Sequence, residues 1–401
     1  MKKIKVLHII TKLELGGAQR NTLYTVKNLD RSCFEPLLVS GAGGILDEEA
    51  GSIADIKFIS LASLVREISP AKDLAALLEI YRIIRREMPD IIHTHSSKAG
   101  ILGRFAAAMY NFSQRNRRRK VKIVHTYHGF GFTPAQNPLI RSGFILLEKI
   151  AARFSDVLVF VSEANMREAS RLRLCPPSGG ARTLIIRSGV DVSFFKNFVL
   201  ESGEADEVRK RYGVRPDEKV VLTIGPFKPQ KNLGDFIRVA AEIKKRLISA
   251  RFIIVGDGAL SQELHRLADA LGVKENVVFA GWITTKKELA QLLKISDVFL
   301  LTSLWEGLPR SLVEAISSGL AVCAGAVDGV TDIISDGETG LLHAPRDVSG
   351  ASDNVEKILR DPSLARRLAD AASKKIDEQF DINKMVRLQE DLYKEMVALP
   401  D

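Results

Sequence analysis

The sequence predicts an α/β fold made of two Rossmann-like halves, each a parallel sheet with crossover helices. Short apolar runs rich in β-branched residues alternate with helix-patterned stretches along the whole chain. The scheme occurs twice, before and after the polar stretch Glu201 to Glu207, and glycine-bearing loops fall where strands turn into helices. With 401 residues, 46% apolar and 27% charged, the chain can bury two cores. The same balance excludes disordered and fibrous classes.

In the first half, strands are expected at Ile4 to Ile10, Pro36 to Ser40, Ile56 to Ser60, Ile91 to His95, Val121 to Tyr127, Asp156 to Ser162 and Thr183 to Arg187. Between them, a helix over Asp73 to Met88 sets Leu74, Leu77, Leu78, Tyr81, Ile84 and Met88 on one face before Pro89 stops it. The second half repeats the pattern at Val220 to Ile224, Phe252 to Val255, Val277 to Ala280, Val298 to Thr302, Ala321 to Ala324 and Gly340 to His343. The linker is placed near residues 190–215, with domains at 1–195 and 196–380. A last helical stretch, Ile382 to Val397, has no strand of its own, and residues 381–401 are expected to pack back on the first domain. Ligands of open parallel sheets collect beyond the carboxyl ends of the strands, so the two sheets are expected to face a central cleft.

Residues 1–200 hold 30 Lys and Arg against 17 Asp and Glu, whereas residues 201–401 hold 28 against 32, so the net +9 belongs to the first half. Such a half suits an anionic partner (a membrane surface, a phosphorylated acceptor or nucleic acid), although a basic surface also serves solubility. Arg115, Arg117, Arg118, Arg119 and Lys120 follow a helix bearing Leu102, Phe105, Met109, Tyr110 and Phe112. This run is either an anchor to an anionic bilayer or a solvated loop beside core residues. No aromatic lies within Ser113 to Lys120 to stack bases, so nucleic acid is not expected. Met1-Lys2-Lys3 and Val6 to Ile10 read as the approach to a first strand, because the apolar run is too short for a signal peptide. No window reaches the roughly 18 apolar residues of a membrane span. Cys33, Cys175 and Cys323 have no metal-ligand spacing and fit a reducing compartment. A cytoplasmic protein, at most peripheral on the inner face of the cytoplasmic membrane, is expected.

Three loops carry chemistry. Gly16-Gly17 lies between the first strand and a helix, where backbone can approach an anion or a sugar, or simply turn tightly. No G-x-G-x-x-G occurs there, so dinucleotide chemistry is not supported. Gly225 to Asn232 follows a strand and opens a helix, which would let Lys231, or Lys228, reach a diphosphate. Glu306 to Glu314 follows another strand, and Pro309 suits a first helical position. Acids there are ordinarily dipole-stabilising surface residues. Yet a carboxylate can hold two vicinal ribose hydroxyls while the N–H groups of Gly307 to Arg310 face a diphosphate. His93 and His95 are read as pointing to opposite faces of a strand, poor geometry for a shared ligand site, so no metal is expected.

Glu306-x7-Glu314 resembles the E-x7-E motif of the retaining glycosyltransferases of family 4, which have the two-domain GT-B fold. Supporting it, in family order, are Gly16-Gly17, Thr126-Tyr127-His128-Gly129, Ser188-Gly189-Val190-Asp191, Lys228-Pro229-Gln230-Lys231-Asn232 and Val255-Gly256-Asp257-Gly258. The resemblance covers almost the whole chain. His93 to Gly100, with His128-Gly129-Phe130-Gly131-Phe132, is similar to the bacterial members that build capsule, exopolysaccharide or lipopolysaccharide.

The resemblance implies that Glu314 binds the donor ribose, Glu306 contacts the donor sugar and Lys231 holds the diphosphate. Gly225, Lys228, Gly307, Leu308, Pro309 and Arg310 would complete the donor site, and backbone around Gly281, Trp282 and Ile283 would meet the base. His128 would sit over the reacting sugar, with the Gly16-Gly17 loop beneath the phosphates. Acceptor contacts are implied at His95, Ser96, Lys98 and Phe130. Two positions depart from the family. Pro226 stands where an arginine usually partners the lysine, leaving Lys228 or Arg310 to compensate, and Gln19 stands where many members have an acid. The implied reaction retains anomeric configuration: the acceptor hydroxyl attacks from the face the nucleotide diphosphate leaves, and a phosphate oxygen takes its proton. The nucleotide sugar is a co-substrate; no cofactor or metal is called for, and a glycan or polyprenyl-linked glycan is the expected acceptor. Two other readings stand beside this one: a sugar-nucleotide epimerase on the same fold, and a non-catalytic nucleotide-sugar or polyanion binder. The paired glutamates favour transfer over epimerisation.

Overall fold

The computed structural model describes residues 2–114, 120–132, 136–175 and 180–398. The chain forms two compact units, Met1–Gly189 with Ile382–Asp401, and Val190–Asp381. In the first unit, β1 (Ile4–Lys12), β2 (Phe34–Gly41), β3 (Lys57–Leu61), β4 (Ile91–His95), β5 (Lys122–Tyr127), β6 (Val157–Phe160) and β7 (Arg182–Ile185) make one parallel sheet in the order β3-β2-β1-β4-β5-β6-β7. In the second, β8 (Lys219–Ile224), β9 (Ala250–Val255), β10 (Val277–Gly281), β11 (Val298–Leu301), β12 (Ala321–Gly325) and β13 (Leu341–His343) make another, ordered β10-β9-β8-β11-β12-β13. Each strand expected from the sequence is present, with ends displaced by one or two residues. The order reverses beside β1 and beside β8. Loops leaving β1 and β4, and likewise β8 and β11, therefore diverge to opposite sides of their sheet and open a crevice at its carboxyl edge.

Alternation along the strands assigns the two faces of the first sheet. Leu7, Ile9, Leu37, Val39 and Ile92 pack against helices Pro70–Glu87 and Ser97–Ser113 through Ala76, Ile80, Ile84, Ala106 and Tyr110. Val6, Phe34, Ile91 and Val124 on the other face pack against helix Ile382–Ala398 through Ile382, Met385, Leu392, Tyr393 and Met396. The last helix of the chain, which belongs to the first unit, thus shares the cover of this face with helix Gly17–Asn28, whose Tyr24 packs on the same cluster.

The linkage between units differs from the 1–195 and 196–380 division. Val190 N–H donates to the Phe380 carbonyl at 2.8 Å, Val190 bridges Asp381, and Asp191 pairs with Lys286 at 2.6 Å. Residues 190–195 and Asp381 therefore belong to the second unit, held there by backbone pairing that spacing alone does not reveal. Pro309 also moves: it is the N-cap of helix Arg310–Ser317, not its first residue.

Helix Pro138–Ala152 is anchored by a buried ion pair. The Arg104 guanidinium, fully buried, lies 2.5 Å from Glu148 Oε2 and donates through Nε to the Gly100 carbonyl at 2.8 Å; Tyr127 Oη donates to the same carboxylate at 2.9 Å. Removing one partner leaves an uncompensated buried charge. Arg104→Met is expected to cost about 3–5 kcal/mol in urea unfolding, and the double variant Arg104→Met/Glu148→Leu to recover much of it.

Candidate functional site

In the second unit, the loop leaving β8 turns through a short 3-10 segment, Pro229–Lys231, into helix Leu233–Lys245. A Cβ at Gly225 would lie 2.8 Å from Lys231 Cε, so the lysine stem lies over the bare backbone. Gly256, at φ 141°, presses on the Gly225 carbonyl from β9, a conformation closed to other residues. The loop leaving β11 is sewn to this one. Thr302 Oγ1 donates to the carbonyls of Lys231 and Asn232 at 3.0 and 3.1 Å, Leu304 N–H to the Gln230 carbonyl at 2.8 Å, and Gln230 Nε2 to the Trp305 carbonyl at 2.9 Å.

This stitching brings Lys231 Nζ to 2.5 Å from Glu306 Oε1, with both side chains nearly buried. Helix Arg310–Ser317 then starts without a side-chain cap, leaving its first turn suited to an anion. Arg310 and Glu314, one turn apart on that helix, pair at 3.5 Å. Gly307, Leu308 and Pro309 are buried at the joint, Lys228 and Pro226 are half-buried on the facing loop, and Ile283 is half-buried after β10. Chemically, the ammonium can turn from Glu306 to a phosphate oxygen, which leaves the Glu306 carboxylate to accept from hydroxyls. Arg310 is a cation on the same helix as Glu314, which bears on the arginine missing at Pro226.

In the first unit, the end of β1 is likewise joined to the loop and helix that follow β4. Thr11 and Ser96 hydroxyls meet at 2.7 Å, and Thr11 Oγ1 accepts from Ala99 N–H at 3.1 Å. Gly16 precedes helix Gly17–Asn28, whose first residue is Gly17, and no side chain caps it. Lys98 is held by Asp73 at 2.7 Å and by the Glu67 carbonyl. Phe130 stacks on Phe132 at 5.0 Å. Lys120 is exposed, while Arg115, Arg117, Arg118 and Arg119 lie outside the described residues.

The expectation for His93 and His95 is overturned. Residues two apart on a strand share a face, and these rings lie 4.2 Å apart. His8, paired with His93 across β1 and β4, joins them, a partner that only strand order discloses. His8 Nδ1 is 3.1 Å from His95 Nε2, and His95 Nδ1 is 3.1 Å from His128 Nε2. Both nitrogens of His93 are occupied, by Tyr393 Oη at 2.5 Å and Thr126 Oγ1 at 2.7 Å. The three histidines offer ligand atoms within 4.8 Å of one another, but a metal would have to displace these hydrogen bonds.

Burial pushes His8 down to about 3 and His128 to about 4, and holds His93 and His95 well below the usual histidine range, where repulsion from neighbouring histidines, His8 and His128 among them, lowers them further. The rings are neutral in the fold but take protons once unfolded, below about pH 6.5. The unfolded state then binds more protons, so stability falls as pH drops from there towards 4. Each such histidine should steepen the fall by about 1.4 kcal/mol per pH unit. Urea unfolding at successive pH values is expected to show a shallower slope for His8→Leu.

Residues 15–194 match Glycosyltransferase Family 4, and residues 204–375 match Glycosyl transferases group 1. The chain is 29% identical over 399 residues to the UDP-Gal:alpha-D-GlcNAc-diphosphoundecaprenol alpha-1,3-galactosyltransferase of Escherichia coli, covering 99% of this chain and 98% of that one. It is 28% identical to the N-acetyl-alpha-D-glucosaminyl L-malate synthase of Bacillus anthracis, over 81% and 79% of the two chains. Among solved structures, Anabaena Alr3699/HepE in complex with UDP and glucose superposes with a TM-score of 0.79 at 19% identity, over 98% of this chain and 100% of that one. With a family 4 domain on the first sheet and a group 1 domain on the second, the chain belongs to the family 4 glycosyltransferases of GT-B fold.

Proposed function

We propose that the protein is a retaining glycosyltransferase that moves a sugar from a UDP-sugar to a polyprenyl-diphosphate-linked glycan during synthesis of capsule, exopolysaccharide or lipopolysaccharide. The observation that carries this reading is the pairing of Lys231 with Glu306, and of Arg310 with Glu314, on loops stitched together at the β8–β11 crevice. The donor and acceptor are those in the name of the Escherichia coli relative, and UDP is bound in the Anabaena structure.

In this mechanism Lys231 exchanges Glu306 for the diphosphate, and Glu306 accepts from hydroxyls of the donor sugar. Glu314 accepts from both ribose hydroxyls, while the backbone around Ile283 meets the base. The acceptor hydroxyl forms the new bond to the anomeric carbon as the bond to the diphosphate breaks on the same face, and its proton passes to a phosphate oxygen. Lys231 and the uncapped helix start stabilise the charge that grows on the leaving group. The nucleotide sugar is a co-substrate, and no metal has a role.

Thermal unfolding with UDP, GDP and ADP tests the donor site. At 100 times its dissociation constant UDP should add about 2.7 kcal/mol of stability. Glu314→Ala should lose that shift, and Lys231→Met should lower kcat by about 10²–10³-fold. Turnover should persist in a chelator with the anomeric configuration kept; an unchanged UDP shift in Glu314→Ala overturns the assignment.

A lipid-linked acceptor calls for a membrane surface, and helix Pro138–Ala152 supports one. Its inner residues Glu148, Ala151 and Ala152 are buried, whereas Leu139 is 83% exposed and Ile140, Leu146 and Leu147 are also exposed, with Lys149 and Arg153 near its end. Phe112, on the neighbouring helix Ser97–Ser113, is exposed as well. No helix among the described residues is long and apolar enough to cross a membrane, so the reading is of a cytoplasmic protein docked on the inner face. Co-sedimentation with vesicles containing anionic lipid should fall sharply in Leu139→Ser/Leu146→Ser, with UDP binding intact.

A further inference from the structure

We propose that His8 and His95 are positioning residues that fix the tautomer of His128, so that His128 presents Nδ1–H to a substrate oxygen arriving at the carboxyl edge of the first sheet. The proposal rests on the glycosyl transfer proposed above and on the resemblance, which implies that His128 meets the reacting sugar. Three rings form one hydrogen-bonded chain, His8 Nδ1 to His95 Nε2 and His95 Nδ1 to His128 Nε2, each link 3.1 Å. A neutral imidazole carries one N–H and one lone pair. The two links can therefore both be made only when all three rings donate in the same direction, which leaves two arrangements.

The ends of the chain separate them. His8 Nε2 and His128 Nδ1 are both buried without a hydrogen-bond partner. If His128 donates inward, the stranded N–H falls on His8 Nε2, beneath the rings of His93 and Tyr393, whose centroids lie 5.3 and 6.2 Å from that of His8. Either arrangement leaves one N–H without a partner, and that N–H costs less at the edge of the sheet, where water or a ligand can come to it, than beside His8, which is fully buried. If His8 donates outward, His8 Nε2 keeps only a lone pair. The N–H then emerges on His128, a half-buried residue on the loop after β5 at the carboxyl edge of the sheet, where an incoming oxygen can accept it. The second arrangement follows. His8 thus acts two rings away from the atom it controls, and touches no substrate.

Asn at position 8 keeps an amide donor close to the place of Nδ1, whereas Leu removes it. The test is imidazole nitrogen NMR on the full-length 15N-histidine protein without substrate. Expected are a proton on His128 Nδ1 and nitrogen–nitrogen couplings across both links. His8→Asn should keep that tautomer, and His8→Leu should shift it towards Nε2–H. A proton on His128 Nε2 in the unaltered protein, or missing couplings, overturns the proposal even if His8→Leu does not fold. An unchanged tautomer in a folded His8→Leu overturns it as well. With donor and acceptor, His8→Leu should lower kcat about 10-fold, the worth of one hydrogen bond in the transition state. KM should barely change, and His8→Asn should restore most of the rate. Failure of UDP to bind would remove the donor-site reading while leaving the tautomer result standing.

Discussion

The reversal of strand order beside β1 and β8 is the constraint on which the rest of this protein depends. A parallel strand must send its chain back over one face of the sheet, and neighbours that go to opposite faces leave a gap between their loops. In both units hydroxyls bridge the base of the gap: Thr302 after β11 to the carbonyls after β8, and Thr11 near the end of β1 to Ser96. These bonds convert two loops, ordinarily the most mobile parts of a fold, into fixed mounts for charged groups. The Lys231–Glu306 pair is a product of that rigidity.

Nearly buried charges at such a mount carry a desolvation cost that pairing offsets in the absence of ligand. The pairs Lys231–Glu306 and Arg310–Glu314 keep each charged group compensated. In the proposed reaction a diphosphate sugar would bring both an anion for the lysine and hydroxyls for the carboxylates, so exchange of partners need not strand a charge. The first unit solves a similar problem by another route. Its buried imidazoles stay neutral and satisfy one another and the hydroxyls of Tyr393 and Thr126. The face they occupy is covered in part by the chain's last helix, so the end of the sequence completes the environment of residues near its beginning.

Much of this architecture was legible along the chain because strand and helix periods are local properties. The alternation of apolar runs located the strands, and the loops expected to carry chemistry do lie at strand ends. The unit boundary was less legible: residues 190–195 are claimed by the second unit through backbone bonds to Phe380 and a side-chain pair with Lys286. The histidines were misread. Spacing of two along a strand already places His93 and His95 on one face, but His8 reaches them only through β1–β4 pairing, between residues 85 positions apart in sequence.

By itself, then, the sequence determined the α/β class, the twofold use of a parallel sheet and the kinds of residue carried to the strand ends, since each follows from periodicity and from groups adjacent in the chain. Tertiary structure alone decided which of those groups meet. Lys231 reaches Glu306 because β8 and β11 are neighbours, His128 is bonded to His95 because β4 and β5 are neighbours, and Lys98 is held by Asp73. Contacts between distant residues depend on strand order and on burial, which are properties of the packed sheet and not of any window of sequence.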